Sequence, residues 1–153
     1  MSIKEKISSL GLSLPTAAAP VAAYVPAVKT GNLVFTAGQL PVVDGKLLKE
    51  GKVGSNVTAE EAKELAQICA LNALAAISLV TDLDQIDRVV RVGGFVNCAP
   101  GFTAIPGVIN GASEFLIKIF GDVNGKHART AVGVAELPLN APVEVEVIVQ
   151  LKN

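Results

Sequence analysis

The chain has 153 residues, of which 50% are hydrophobic and 18% charged, and its formal net charge is -1; this length supports one domain with a sizeable core. The near-zero charge argues against general binding to a nucleic-acid backbone, which requires a basic face. The mean hydropathy of +0.50 is high for a chain that must cover its own surface, so we expect part of that surface to be buried between subunits.

The N-terminal part is predicted to form a short helix followed by an extended arm. Ile3 to Leu10 fits a short helix that ends at Gly11. The next stretch, residues 13–28, is rich in alanine and proline and has no helical period, so we expect it to be extended and to lie on the body of the domain. We assign residues 1–23 to this helix and arm, within a single domain that spans residues 1–153.

A strand and a long helix follow. Leu33 to Ala37 has the composition of a strand that is entered through Gly31 and Asn32, and residues 43–46 have that of a hairpin tip. Thr58 with Glu61 three residues later forms a capping box, the signature of a helix N-terminus. Apolar residues then recur at helical spacing: Ala62, Leu65, Ala66, Cys69, Ala73, Ala76, Ile77 and Val80.

The second half alternates strands with one further helix. Residues 86–97 have the β-branched content of a strand, in which Gly93 and Gly94 indicate a bulge or a close backbone approach. After a loop from Ala99 to Gly107, residues 108–120 predict a helix that Gly121 ends. Two final strands are predicted: Arg129 to Ala135 and Val143 to Leu151.

This order predicts an α+β fold, with one mixed sheet and two long helices packed on one of its faces. In the last strand the valines share one face by the two-residue period and should pack under the helices, while Glu144 and Glu146 share the other. In the strand before it we place Thr130 and Val132 in the core. Arg129 then lies on the same face as Glu144, in what we expect to be a neighbouring strand.

Arg129 and Glu144 are therefore the first candidates for a functional site. A structural ion pair on a solvated sheet face is the ordinary alternative. The chain has only two other arginines, Arg88 and Arg91, and the face is expected to be covered by another subunit. A buried guanidinium is costly unless it meets an anion, and its fork fits a carboxylate. We therefore expect a small carboxylate ligand.

Other classes of function have little support in the sequence. The best candidate for a membrane span, residues 68–80, is shorter than the roughly 20 apolar residues that are needed, and the N-terminus lacks the apolar stretch of a signal peptide. We expect a cytoplasmic protein without a membrane partner, in which Cys69 and Cys98 are reduced. The acids of residues 82–87 lack a histidine or a calcium-type loop, so no metal or other cofactor is expected.

Three segments resemble the YjgF/RidA family, which also carries the labels endoribonuclease L-PSP and translation initiation inhibitor. They are Tyr24 to Gln39 (YVPAVKTGNLVFTAGQ), Ile109 to Glu114 (INGASE) and His127 to Glu146 (HARTAVGVAELPLNAPVEVE). The resemblance runs from about Tyr24 to Leu151, and the chain is similar to a longer subgroup of about 150 residues.

The resemblance implies a chorismate-mutase-like fold of the bacterial type, assembled as a homotrimer whose sheets form an inner barrel with ligand clefts between subunits. The activity it implies is hydrolysis of reactive enamine or imine intermediates, such as 2-iminobutanoate and 2-iminopropanoate, to 2-oxo acids and ammonia. By this resemblance Arg129 holds the substrate carboxylate and Glu144 positions or activates water. The other implied substrate-binding residues are Tyr24, Gly38, Asn110 and Ala131.

Two positions depart from the deaminase pattern. Ala37 stands where deaminase members commonly carry serine, and Ala131 where they often carry cysteine. A backbone contact with the substrate survives these changes, whereas a hydroxyl or thiol contact does not, so it is open whether activity is retained. The enlarged loop from Ala99 to Gly107 could reshape the cleft.

Two further readings of the family signature stay open. The trimer could bind small carboxylates or 2-oxo acids without catalysis. An endoribonuclease or translation-inhibitor role rests on the family labels alone, because no basic patch or series of stacking aromatic residues is present. His127 could act as a general base, although a position just after a turn is more typical of a surface residue.

Overall fold

The computed structural model describes residues 1–20 and 22–153. Its helices are α1 (Ile3–Ser9), α2 (Ala59–Ile77) and α3 (Ile105–Asn124). Its strands are β1 (Ala27–Thr30), β2 (Leu33–Thr36), β3 (Val42–Val43), β4 (Lys46–Leu47), β5 (Ile86–Asn97), β6 (Ala128–Val134) and β7 (Val143–Leu151). Short 3-10 turns lie at Leu83–Gln85 and Pro138–Asn140.

The strands form a five-stranded mixed sheet in the order β1-β2-β7-β5-β6, with β3 and β4 as a separate hairpin. Among the described strands of this sheet only β5 and β6 pair in parallel, because α3 connects them as a crossover; the other pairs are antiparallel. Helices α2 and α3 pack against each other and against one face of the sheet. The predicted α+β class, with a mixed sheet and two long helices on one face, is confirmed.

Capping explains where the first two helices begin. The Thr58 hydroxyl accepts from the Glu61 backbone N–H at 3.1 Å, and the Glu61 carboxylate accepts from the Thr58 N–H at 2.8 Å. Ser2 and Glu5 repeat this arrangement at α1. Helix α3 has no side-chain cap and begins with Pro106 in its first turn. Its regular part ends as predicted, since Gly121 has a φ of +82° that interrupts the helical backbone.

Small residues let the helices approach each other and the sheet closely. The buried face of α2 is rich in alanine. A Cβ at Gly111 of α3 would lie 1.8 Å from the Lys63 backbone oxygen of α2, and one at Gly94 of β5 would lie 2.5 Å from Ile109 of α3. Gly94 thus makes the predicted close approach, whereas the irregular pairing of β5 occurs earlier, between Ile86 and Arg91.

The N-terminal arm differs from its prediction at one end. Residues 12–20 have no regular structure, and Leu12 and Leu14 pack against the core as expected. Ala27–Thr30, however, forms strand β1, which pairs with β2 across the turn at Gly31. This edge strand was not predicted because the sequence around it is rich in proline. The assignment of residues 1–23 to the arm includes Val21, which is outside the described residues.

The facing of β6 is opposite to the prediction. Arg129 pairs with Val92 of β5, whose side chain is fully buried under the helices, so Arg129 and Ala131 lie on the helical side. Val132 is 39% exposed and lies on the open side, as does Thr130. The prediction failed because the β-branched residues Thr130 and Val132 face the open side while charged Arg129 faces the helices, so the apolar pattern of β6 indicated the wrong side. The pairing of β6 with β5 determines which of its side chains face the helices.

Candidate functional site

Arg129 is held in place by the first half of α3. Its Nη1 donates to Asn110 Oδ1 at 2.8 Å and to Ser113 Oγ at 3.2 Å. Its Nη2 donates to the Pro106 backbone oxygen at 3.4 Å. Asn110 and Ser113 are three residues apart and therefore share one helix face. This partly buried guanidinium takes part in none of the ion pairs formed between described residues.

His127 extends this hydrogen-bonded chain. Its Nδ1 lies 2.6 Å from the Gly125 backbone oxygen and its Nε2 lies 2.9 Å from Ser113 Oγ. A carbonyl oxygen only accepts, so Nδ1 carries the proton; in the neutral ring Nε2 then accepts from the Ser113 hydroxyl. Ser113 in turn accepts from Arg129. His127 is thus partly buried, and both of its ring nitrogens have hydrogen-bond partners.

The environment of His127 favours its neutral form. Burial lowers the pKa of His127 below its usual range, and the charge of Arg129 lowers it further, although the hydrogen bond to Gly125 acts in the opposite direction. The neutral ring leaves the Ser113 hydroxyl oriented away from Arg129, with its oxygen free to accept. The result is a guanidinium whose position is fixed by α3 and by the segment that leads into β6.

Glu144 lies on the open face of the sheet, opposite Phe95 of β5. Burial raises the pKa of the Glu144 carboxyl above its usual range, and the neighbouring charge of Glu146 raises it further. A Cβ placed on Gly38 would lie 2.2 Å from Glu144 Oε1, so the absence of a side chain at Gly38 makes room for the carboxylate. Glu144 therefore belongs with Gly38 rather than with Arg129.

A cleft of about 530 Å³ begins at Gly38. Tyr24 lines it and is 50% exposed. The N-terminal arm, the turn between β3 and β4, and Asn72 of α2 form further parts of its wall. Two of the predicted substrate-binding residues, Tyr24 and Gly38, thus share one cleft beside Glu144.

Within one chain the predicted site residues form two separate groups. Arg129, Asn110 and Ala131 lie at the helical side of β6, whereas Glu144 lies on the open face with Gly38 and Tyr24 near it. The expectation that Arg129 and Glu144 share a face in neighbouring strands is wrong, because β5 separates β6 from β7 and the two strands present these residues to opposite sides. A single chain does not bring the guanidinium and the carboxylate together.

Sequence reasoning did not select Ser113 as a site residue. The sequence feature that could have identified Ser113 is its spacing of three from Asn110 within the INGASE segment, which places both side chains on one face of a helix. Asn110 was identified through the resemblance, and Ser113, one turn further along the same helix face, could have been identified from it.

The open face of the sheet carries exposed apolar side chains. Val28, Phe35 and Val132 are 51%, 40% and 39% exposed, and they come from strands β1, β2 and β6. A series of large apolar groups across one sheet face is typical of a surface that binds another protein surface. The polar residues of this face include Glu144 and Glu146.

The described fold and the two residue groups are those of an α+β domain with one uncovered sheet face. The sequence profile of the family described as "YjgF/chorismate mutase-like, putative endoribonuclease" matches residues 4–151. The chain belongs to this family, as the three sequence segments indicated. None of the described helices is long and apolar enough to cross a membrane.

Individual relatives agree with this membership. Protein TCP17 of Trypanosoma cruzi is 41% identical over 152 residues, which is 99% of this chain and 95% of that protein. The 2-iminobutanoate/2-iminopropanoate deaminase of Dermatophagoides farinae is 30% identical over 141 residues, with 92% and 95% covered. A crystal structure described as a "putative endoribonuclease" from Shewanella oneidensis has a TM-score of 0.94 at 30% identity, with 99% and 100% covered.

Proposed function

We propose that copies of this chain form a homotrimer in which a cleft between subunits binds a small imino acid and hydrolyses it to a 2-oxo acid and ammonia. The observation that carries this proposal is the Arg129 guanidinium, which is fixed by Asn110 and Ser113 without an acidic partner among the described residues. A partly buried guanidinium in this state favours an anionic ligand.

The hydrogen bonds of Arg129 leave one edge of the guanidinium for that ligand. Those formed with described residues use both N–H groups of Nη1 and one of Nη2. Nε and the second N–H of Nη2 remain, and an arginine fork binds the two oxygens of a carboxylate through such a pair. In the proposal this edge holds the substrate carboxylate, and the N-terminal half of α3 keeps it in position.

A second copy would supply Glu144, together with Gly38 and Tyr24, opposite Arg129. The raised pKa of Glu144 makes its carboxylate a stronger proton acceptor than an ordinary glutamate, and the protonated carboxyl can return the proton later in the reaction. In this mechanism ionised Glu144 takes a proton from the water that attacks the imine carbon. The protonated imine thereby becomes a neutral carbinolamine. Glu144 returns its proton to the nitrogen, the C–N bond breaks with release of ammonia, and the hydroxyl proton passes back to the Glu144 carboxylate as the C=O bond of the 2-oxo acid forms.

Two further observations support an assembly of this kind. The open sheet face exposes Val28, Phe35 and Val132, which a second subunit would cover. The 30% identity to a 2-iminobutanoate/2-iminopropanoate deaminase extends over 92% of the chain.

Ala37 and Ala131 offer no polar side-chain atom to a substrate, and the Ala37 N–H already donates to the Pro26 oxygen at 2.8 Å.

The first test is the release of 2-oxo acid from imines generated in situ by an amino-acid oxidase. Arg129→Ala should reduce turnover at least about 100-fold, because it removes two charge-assisted hydrogen bonds. Lys4→Ala, which removes an exposed cation from α1, is the control and should keep the parent rate. Parent-like turnover by Arg129→Ala would contradict the role of Arg129.

A mixing experiment tests whether each site uses two subunits. Arg129→Ala and Glu144→Gln chains are each expected to be inactive alone. If the two residues act across an interface, random co-assembly restores both wild-type groups in about a quarter of the clefts. Native mass spectrometry must show that the mixed assemblies form. Co-assembly without any recovered activity would refute a site shared between subunits.

Binding without catalysis is the second candidate function. The observation that favours it is the alanine at positions 37 and 131, which removes the side-chain hydroxyl and thiol that deaminase members often carry there. It predicts that 2-oxobutanoate binds in calorimetry, that Arg129→Ala abolishes this binding, and that the parent accelerates no imine hydrolysis. An endoribonuclease role is supported by the family description and by the description of the Shewanella oneidensis structure, and it would require RNA cleavage that Arg129→Ala or Glu144→Gln removes.

A further inference from the structure

The cleft beside Gly38 has a wall that the proposed chemistry does not use. One side is formed by the N-terminal arm at Pro15 to Pro20, and the rim by Leu139 and the β3–β4 turn at Asp44 and Gly45. The floor runs from Gly38 to Leu40. This wall joins segments far apart in sequence, and it surrounds a volume of about 530 Å³.

Hydrogen bonds hold the cleft in shape. The Asn72 side-chain amide of α2 donates to the backbone oxygens of Leu40 and Val42 at 3.0 and 2.9 Å, which fixes the floor and the start of the hairpin to the helix. Gln39 exchanges backbone hydrogen bonds with Val145 of β7 at 2.8 and 3.0 Å, which fixes the floor to the sheet. The floor of the cleft is therefore preformed, and a ligand does not have to order it.

The inner end of the cleft adjoins the Glu144 carboxylate. Gly38 lines the cleft, and Glu144 Oε1 occupies the space that a side chain at Gly38 would fill. One small molecule can therefore reach Glu144 with its reacting carbon and extend the rest of its structure along the arm. This geometry makes the cleft a continuation of the proposed site.

The chemistry of the lining decides which part of a ligand it accepts. Alanine, proline, leucine and valine side chains form most of the wall, and the charged group is the acid Asp44. An acidic rim disfavours a second carboxylate, and an apolar wall gains free energy by burying carbon. The volume lies within the range of roughly 300 to 1,000 Å³ that is typical of small-molecule sites, so a ligand of three or four carbons would fill little of it.

We infer that this cleft is a subsite for the apolar side chain of the imino acid, and that the chain acts on 2-imino acids with large apolar side chains in preference to short ones. The inference rests on the proposed function and adds its substrate class. Because each buried methylene contributes about a fourfold gain, we expect kcat/KM to be at least about tenfold higher for leucine-type or phenylalanine-type imines than for the alanine-type imine.

The test compares imines made by an amino-acid oxidase from alanine, leucine and phenylalanine, with semicarbazide as the competing trap. Ala18→Trp introduces a large side chain at an exposed position of the cleft wall. It should lower kcat/KM for the large imines relative to that for the alanine-type imine, and so remove the preference. Ser13→Trp, on the same arm but outside the cleft lining, is the control and should keep the parent profile.

A binding measurement separates this inference from the proposed function. In calorimetry 4-methyl-2-oxopentanoate should bind at least about tenfold more tightly than pyruvate, and Ala18→Trp should abolish the difference. Arg129-dependent hydrolysis with equal rates for small and large imines would overturn the subsite and leave the proposed function intact. Absent hydrolysis together with an Ala18→Trp-sensitive preference in binding would overturn the catalytic proposal and retain the subsite.

Discussion

Gly38→Ala is expected to lower activity by about 10- to 100-fold without damaging the fold. The added Cβ would lie 2.2 Å from Glu144 Oε1 and 2.8 Å from its Cδ, so the carboxylate must move by at least about 1 Å to restore ordinary contact. Gly38 does not have a positive φ, and alanine can therefore adopt its backbone conformation. A displacement of about 1 Å at a reacting group can cost about 100-fold in rate, and we expect kcat to fall by 10- to 100-fold.

The assay pairs imine hydrolysis with urea denaturation. Because Glu144 is the flexible neighbour that moves, the free energy of unfolding should change by less than about 1 kcal/mol. Gly107→Ala is the control, since a Cβ there meets nothing within 4 Å, and it should keep full activity. Unchanged kcat in folded Gly38→Ala protein would refute the assigned position of Glu144. A large loss of stability would show that the backbone moves instead.

Four further predictions follow from buried or close-packed groups. Asn97→Ala should lower the free energy of unfolding by about 2 to 4 kcal/mol, because fully buried Asn97 donates to the Gly51 and Ala141 oxygens and accepts from Lys52. Exposed Asn124→Ala is the control. A loss below about 1 kcal/mol in urea denaturation of Asn97→Ala would contradict this prediction. Gly111→Ala should cost at least about 3 kcal/mol, since its Cβ would meet a backbone oxygen at 1.8 Å; circular dichroism melting near the parent temperature would disprove this close approach. Glu144→Gln should raise the melting temperature at pH 7, because the raised pKa of Glu144 means that ionisation opposes folding. This gain in melting temperature should shrink as the pH falls and the carboxyl of the parent protein becomes protonated. A melting temperature below that of the parent at pH 7 would contradict the prediction. His127 has a lowered pKa in the folded chain, so its stabilising contribution is complete above the unfolded pKa of about 6.5 and declines as the pH falls below that value. His127→Gln should therefore lose less stability between pH 7 and 5 than the parent protein does. Identical profiles of stability against pH for the two proteins would contradict this prediction.

Much of the fold was predictable because its signals are local. The Thr58 and Glu61 capping box and the alanine-rich period of α2 depend on residues within one or two turns. The valine alternation of β7 identified its buried face for the same reason. Gly121 ended the regular part of α3 as expected, since its positive φ is a local backbone property.

The candidate site was predictable in its residues and only partly in its arrangement. Arg129, Asn110, Glu144, Gly38 and Tyr24 came from the resemblance and from residue chemistry. Their division between two faces did not, because the β-branched residues of β6 face the open side and charged Arg129 faces the helices, opposite to the usual pattern. The roles of Ser113 and His127 also depend on how α3 lies against β6, which no single segment encodes.

The sequence by itself determined the class of fold, the order of its main elements, the family and the chemical types at the site. These follow from local periodicity, capping and motif spacing, which act over a few residues. Only the tertiary structure decided that β5 separates β6 from β7, that Arg129 lies under the helices, and that Glu144 lies beside Gly38. Those facts depend on strand order and register, which are set by long-range packing and backbone pairing between segments distant in the chain.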